Sequence, residues 1–278
     1  MREYRRARAP QKSLPAECLI IAVNHDDGHV EGMLLPAPAT WRNMLLVMLS
    51  LAAGCVDAAG FLGFGEVFVA NMTGNTVLLG IAIGQADSRA VFHAATALAG
   101  FIFGVAAGAL AVGRKQEDAV WPGRVTVALA IELVTLTLFA GVWLYTGAEP
   151  AGGTVFLLIS MSALAMGMQS SAVRRLGVPG VATTYITGTL TNLTEMAIDW
   201  LRTIRTPKIL REDDDRPEPP PPSARGLLLP ADVWLAYGTG AVVGGAAQLV
   251  WWPMALLFPA GIVGMVVCAA VFRYHREG

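Results

Sequence analysis

The chain has 278 residues, of which 54% are hydrophobic and 15% charged, with a formal net charge of −1. The charges are segregated, so that the runs 45–65, 91–113, 125–145, 154–173 and 253–272 hold almost none. A bilayer core of about 30 Å needs about 20 helical residues, so this is a multi-pass membrane chain and not a water-soluble domain around one large core.

Residues 1–43 stand apart from those runs. Arg2, Arg5, Arg6 and Arg8 precede a short apolar stretch, 18–23, which loosely mimics a signal peptide. It is too short for an h-region, and no small-residue cleavage pattern follows. The segment reads as a basic, disordered cytoplasmic tail, with His25 and His29 as solvated tail residues. Cys18, Cys55 and Cys268 form no CxxC pair, so neither a disulfide framework, a metal site nor a cofactor is expected.

The integral domain is expected over 44–275, as a first half 44–146 and a second half 154–275 with a disordered loop at 205–226. In the first span Asp57 shares a helical face with Ala53, Gly54, Gly60 and Phe61. An ionisable group at membrane depth is a functional candidate. Asp57 could accept a proton, bind a cation, or hydrogen-bond backbone nearby. The stretch VFVANMTGNTVLLG (67–80) follows, with Asn71, Thr73, Gly74, Asn75 and Thr76 inside apolar sequence. Gly100, Gly104 and Gly108 mark a close-packing face on the next span, and His93 lies at its start as a boundary residue. Glu132, with Thr135 on its face, is either a deep functional acid or a polar helix–helix contact. In the fifth run Gln169, near Gly167, takes roughly the place that Asp57 has in the first.

All seven tryptophans (41, 121, 143, 200, 234, 251 and 252) fall at the ends of apolar runs, where indole marks the headgroup level. Lys and Arg crowd the N-terminal tail, Arg114-Lys115 with Arg124, Arg174-Arg175, the 205–225 loop, and Arg273 with Arg276. The connections at 146–153 and 250–253 have none. The positive-inside rule makes the first group cytoplasmic. If 66–85 and 178–201 were full spans, that grouping would break. It is restored if both segments enter the membrane and return to the same face. Each begins extended and β-branched, then turns helical after Thr-Gly. Such backbone is tolerated at depth only when buried in protein or lining a wet cavity.

The two segments also match each other. Thr73-Gly74 and Thr187-Gly188 stand 114 residues apart, Gly54 and Gly167 113, and Gly104 and Gly240 136. The 22-residue difference is about the length of the 205–225 loop. Each half then reads as span, re-entrant segment, span, span, and three crossings per half invert the second half. Half-helix starts at Thr73–Asn75 and Thr187–Thr189 would aim unpaired N–H groups and positive dipole ends at one region. Two such ends make a site for an anion or polar solute, with Asn71, Asn75, Thr76 and Asn192 as partners. The same side chains could merely cap their own helices.

GCVDAAGFLGFGEVFVANMTGNTVLLGIAIG, residues 54–84, resembles the signature of the YoaK-like bacterial membrane proteins, a family defined as a domain of unknown function. The likeness should run from about 45 to 275, including ITGTLTNL in the second half, and leaves out the basic tail and the 205–225 loop. It implies a bacterial polytopic inner-membrane protein of about six spans, and brings no substrate or catalytic residue.

The expected fold is therefore all-α and polytopic: two inverted halves, six spans and two re-entrant half-helices, with both termini cytoplasmic. The expected function is secondary transport or channelling of a small solute or anion. Asp57, Asn71, Thr73, Asn75, Thr76, Gln169, Thr187, Thr189 and Asn192 are the site residues, and Glu132 stands behind them. The competing class is a non-transporting scaffold or assembly factor. No nucleophile–base set, metal motif or phosphate loop argues for an enzyme. The expected partners are lipid and a small solute, with no nucleic acid, and homo-oligomerisation is left open.

Overall fold

A computed structural model describes residues 18–24, 30–36, 38–113, 119–147, 150, 152–205, 224–250 and 256–274. Its elements are β1 (Cys18–Asn24), β2 (Val30–Pro36), α1 (Pro38–Gly63), α2 (Met72–Gly84) and α3 (Ser88–Val112). They continue as α4 (Gly123–Thr146), α5 (Gly153–Arg175), α6 (Ile186–Arg205), α7 (Ala224–Val250) and α8 (Leu257–Tyr274).

Residues Met1–Met44 form a unit of their own. In it β1 and β2 pair antiparallel, from Cys18 opposite Pro36 to Asn24 opposite Val30. The expectation of a disordered tail over 1–43 falls mostly on residues 1–17 and 25–29, which lie outside the described residues. CLIIAVN and VEGMLLP are aliphatic enough to pair. Helix α1 also starts earlier than residue 44, at Pro38, a residue preorganised for the first helical turn. His25, His29, Arg114-Lys115, residues 206–223 and Trp251-Trp252-Pro253 lie outside the described residues.

The regular elements of the second unit, Leu45–Gly278, are all helices among its described residues. Six of its helices, α1, α3, α4, α5, α7 and α8, are long and apolar enough to cross a membrane; α2 and α6 are not among them. Their outward faces are apolar, with Leu110 83% and Leu249 86% exposed, as a lipid-facing surface requires.

Helix directions settle how α2 and α6 run. Gly100 packs on Ser160, Gly104 on Leu164 and Gly108 on Met168, so α3 and α5 are parallel. Gly240 packs on Leu51 and Gly244 on Cys55, so α7 is parallel to α1. The end of α1 meets the start of α3, where His93 Nδ1 lies 3.3 Å from the Gly65 carbonyl. Residues 64–87 therefore leave one face and come back to it. On the way they reach Asp57, whose carboxylate accepts the N–H groups of Val69 (2.7 Å) and Ala70 (2.6 Å). Asp57 lies six residues, about 9 Å, inside the end of α1. Gly65 and Glu66 hold φ of +86° and +54°, which reverses the chain at the rim.

The second half repeats this from the other side. Gly177 and Gly180 hold φ of +65° and +69°. Thr183 then reaches Gln169, whose Nε2 donates to its Oγ1 at 3.1 Å. Because α7 runs parallel to α1, α6 must return to the face carrying Arg174. Two re-entrant segments and three spans per half invert the second half. Arg124, Arg174, Arg175, Arg202, Arg205 and Arg273 all lie toward one face, hereafter the basic face. Arg89, at the start of α3, is the exception among the described basic residues of this unit.

Packing follows the same two-fold relation. Gly54 of α1 sits on the backbone of Tyr237 and Ala241 in α7, and Gly167 of α5 sits on Phe101 and Val105 in α3. The first helix of each half thus crosses the second span of the other half through glycine, which lets the backbones touch. Two of the tryptophans at helix ends turn inward. Trp143 is fully buried against Phe64, with ring centroids 5.6 Å apart. Trp121 is buried too, stacked on Tyr274 with its Nε1 donating to Thr126 Oγ1 at 2.9 Å.

Candidate functional site

The two half-helices begin where the re-entrant strands are deepest. In the first half Asn75 staples the approach to α2: Phe68 N–H donates to its Oδ1 at 2.9 Å, and its Nδ2 donates to the Phe68 carbonyl at 2.5 Å. In the second half Ala182 N–H donates to Thr189 Oγ1 at 3.3 Å, and that hydroxyl donates to the Ala182 carbonyl at 3.2 Å. Asn75 and Thr189 are 114 residues apart, and so are Phe68 and Ala182. Each staple satisfies extended backbone that has no ladder partner.

A cavity of about 330 Å³ lies between the two helix starts. Ala70 and Thr184, Asn71 and Tyr185, Met72 and Ile186, and Thr73 and Thr187 line it as pairs offset by 114. Phe101 and Tyr237 line it as a further pair, offset by 136, and Ser170 completes the wall. Five such pairs place the cavity on the pseudo-two-fold axis, where the two halves contribute the same backbone and different side chains. The first turns of α2 and α6 supply N–H donors and positive dipole ends. The Asn71 side chain already accepts from Gly74 N–H at 3.2 Å, whereas Tyr185 stands at the matching position of α6 and has no short acceptor to offer it.

Asp57 stands behind this wall. One carboxylate oxygen takes Val69 and Ala70 N–H, and the other accepts the Tyr237 hydroxyl in a short hydrogen bond. Of the roles open to Asp57, the backbone contact is present, and Tyr237 links the acid to the cavity. Gln169 plays a similar part in the second half, touching Thr183 where Asp57 touches Val69, although the 113-residue offset of the two helices pairs Asp57 with Ser170. Its Nε2 also donates to the Leu49 carbonyl at 3.1 Å, and its Oε1 is buried without a partner among the described residues.

Of the residues expected to line a site, Asn71, Thr73 and Thr187 do so. Asn75 and Thr189 are buried and engaged with backbone. Thr76 is exposed and donates to the Met72 carbonyl at 2.9 Å, and Asn192 lies away from the cavity, 3.5 Å from the Gly180 carbonyl and 3.3 Å from Met196 Sδ. These four side chains are engaged locally and cap no helix, whereas Asn71 lines the cavity and also caps α2. Tyr237, Phe101, Ser170 and Thr184 were missed. Carrying the 136-residue offset of Gly104 and Gly240 three residues upstream would have paired Phe101 with Tyr237.

His93 is buried rather than a surface boundary residue. It helps wall a second cavity of about 550 Å³, at the face opposite the basic one, together with Glu66, Gln85, Asp87 and Arg89.

A family model described as protein of unknown function (DUF1275) matches residues 45–269. The chain belongs to that family. The DUF1275 match begins where the membrane unit begins, so the hairpin lies outside it and both re-entrant segments lie within it. Another protein like this chain is the UPF0700 transmembrane protein YoaK of Bacillus subtilis (strain 168). It is 38% identical over 226 residues, 79% of this chain and 92% of the relative. No solved structure matches.

Glu132 is the unexplained acid of this DUF1275 protein. It is fully buried in α4, and neither carboxylate oxygen has a partner among the described residues. A buried polar group left unpaired costs roughly 1–3 kcal/mol. Glu132→Leu is therefore expected to raise the unfolding temperature in detergent, read by tryptophan fluorescence. A fall would mean that the carboxyl is held by a contact the isolated chain lacks.

Proposed function

We propose that this membrane protein is a secondary transporter or channel for a small anionic or polar solute, which it binds in the central cavity. One observation carries the reading: the starts of both half-helices, from oppositely oriented halves, line a single cavity of about 330 Å³. That volume is within the range of small-ligand sites, and broken helices meeting at mid-membrane are a recurrent transporter arrangement. No basic side chain lines the cavity, so an anion would be held by N–H groups, hydroxyls and dipoles.

The protein resides, on this reading, in the bacterial inner membrane with the basic face and both termini cytoplasmic. Reporter fusions placed after Lys115 and after Arg175 are both expected to report cytoplasm. A periplasmic signal from either would overturn this orientation. The reading has no enzymatic step and no nucleic-acid partner.

The test is a panel of small anions and polar solutes applied to purified protein and to proteoliposomes. At least one is expected to raise the unfolding temperature, as a ligand specific to the folded state must, and to cross the vesicle membrane. Thr187→Leu, which fills the cavity from an exposed position, is expected to remove both effects while the protein remains folded. Flux unchanged by that variant would place the solute elsewhere. A panel with no stabilising member would favour the scaffold reading, which the engagement of Asp57, Asn75 and Thr189 with backbone already suits.

A further inference from the structure

The two halves share a plan, so the places where they differ show how the cavity communicates with each face. On the basic face a third cavity, of about 390 Å³, shares Ser170, Thr184 and Tyr185 with the central one and reaches Arg174. Its walls are the end of α5 and the strand leading into α6. The corresponding elements of the first half are the end of α1 and the strand leading into α2. Applying the offsets of 113 and 114 found above, Arg174 corresponds to Phe61 and Ala182 to Phe68. In the first half these two phenylalanines stack on each other, with ring centroids 5.0 Å apart and planes inclined by 21°. The Phe68 ring also lies against Gly74, in the first turn of α2, so closely that a Cβ there would come within 2.8 Å of it. The second half has an exposed guanidinium and a methyl group at the positions of the two stacked rings, and there the ring against the matching glycine, Gly188, is that of Tyr185, with no second ring stacked on it among the described residues.

We infer that the central cavity opens to the basic face alone, that an anion enters it past Arg174, and that the Phe61–Phe68 stack is the gate closing the symmetry-related path to the opposite face. The inference rests on the transport reading for its solute, and on geometry alone for its gate. The ligand class follows from the charges along the path: Arg174 at its mouth, hydroxyls of Ser170, Thr184 and Thr187 within, and the start of α6 at its end. A stacked pair can leave the path by rotamer changes without breaking any hydrogen bond, whereas the staples of Asn75 and Thr189 hold the helix starts in place. The cavity beside His93 and Glu66, at the opposite face, is where a released solute would emerge.

Cysteine accessibility tests this without a known substrate. In a background of Cys18→Ser, Cys55→Ala and Cys268→Ser, Thr187→Cys reports on the cavity. The probes are membrane-impermeant methanethiosulfonates, one anionic and one neutral, applied to vesicles of each orientation. Labelling is expected only from the basic face. Arg174→Gln should slow the anionic reagent on the order of tenfold, as loss of a steering charge does, and leave the neutral one unchanged. Adding Phe68→Ala should admit both reagents from the opposite face, and Phe61→Ala serves if that variant does not fold. Equal labelling of the parent from both faces, labelling from the opposite face only, or none from either would overturn the inference. So would a gate variant that folds and stays closed. One-sided labelling in a protein that carries no solute would sink the transport reading and leave the gate standing. Flux in a protein labelled from both sides would do the reverse.

Discussion

Gly104→Leu and Gly240→Leu are each expected to leave no folded protein in the membrane, and to do so equally. A Cβ on Gly104 would lie 2.8 Å from the carbonyl carbon of Leu164 and 2.9 Å from its Cα, and closer still to its oxygen. A Cβ on Gly240 would lie 2.9 Å from the carbonyl carbon of Leu51 and 3.1 Å from the amide nitrogen of Cys55. Both obstacles are backbone, so no rotamer change relieves them and the helices must separate. Over-packing of adjustable side chains costs about 1–3 kcal/mol. Here the displaced objects are whole helices, and the separation would pull α3 from α5, or α7 from α1, along their length. Even Gly→Ala at either position should lower the yield of monodisperse protein in detergent.

The control is Gly80, whose Cβ would meet nothing within 4 Å. Gly80→Ala should be neutral or stabilising by up to about 1 kcal/mol, the difference in helix propensity. If the Gly104 variant were lost and the Gly240 variant were as stable as the parent, the two-fold crossing of α1 on α7 and α5 on α3 would be wrong. Equal loss with an intact Gly80 variant is the result the geometry requires. It would also show that small residues at these crossings are set by close packing and not by flexibility.

The plan of the fold was legible in the sequence because a bilayer imposes it. Apolar run length and the side bias of Arg174-Arg175 and Arg124 required two segments to turn back, and the direction of α3 against α5 agrees. The offsets of Gly54 and Gly167 carried the inversion. The site was half legible. Thr73 and Thr187 were found because a polar residue in an apolar run stands out. Tyr237 and Phe101 were not, since an aromatic residue in a membrane helix resembles its lipid-facing neighbours. Asn75 and Thr189 stood out equally, yet their polarity serves the backbone of Phe68 and Ala182, and composition does not separate a staple from a ligand. The β1–β2 pairing was not read because the 18–23 stretch was weighed only as a signal-peptide mimic and its partner over 30–36 did not stand out.

The same ambiguity is sharpest at Asp57, and substitution there resolves it. Asp57→Ala strands the N–H groups of Val69 and Ala70 and the Tyr237 hydroxyl, at about 1–3 kcal/mol for each buried donor. Hydrogen bonds between membrane helices average only about 0.6 kcal/mol, because the unfolded chain in lipid finds other partners. That discount does not reach Val69 and Ala70, which lie in extended backbone and have no intrahelical carbonyl to take them. The alanine variant should therefore lose its fold, against a total stability on the order of 5–15 kcal/mol. Asp57→Asn keeps one oxygen for the two N–H groups and can turn its amide toward Tyr237, so it should fold with a modestly lower unfolding temperature. Tyr237→Phe removes a single contact and should cost about 1 kcal/mol. Because Asp57→Asn keeps the geometry and discards the titratable carboxyl that a coupling or gating role needs, it is expected to fold and carry no solute in proteoliposomes. A folded Asn variant with parental flux would confine Asp57 to holding the re-entrant strand. In that case Tyr237→Phe should also leave flux intact, since its hydroxyl would then have only a packing role beside the cavity.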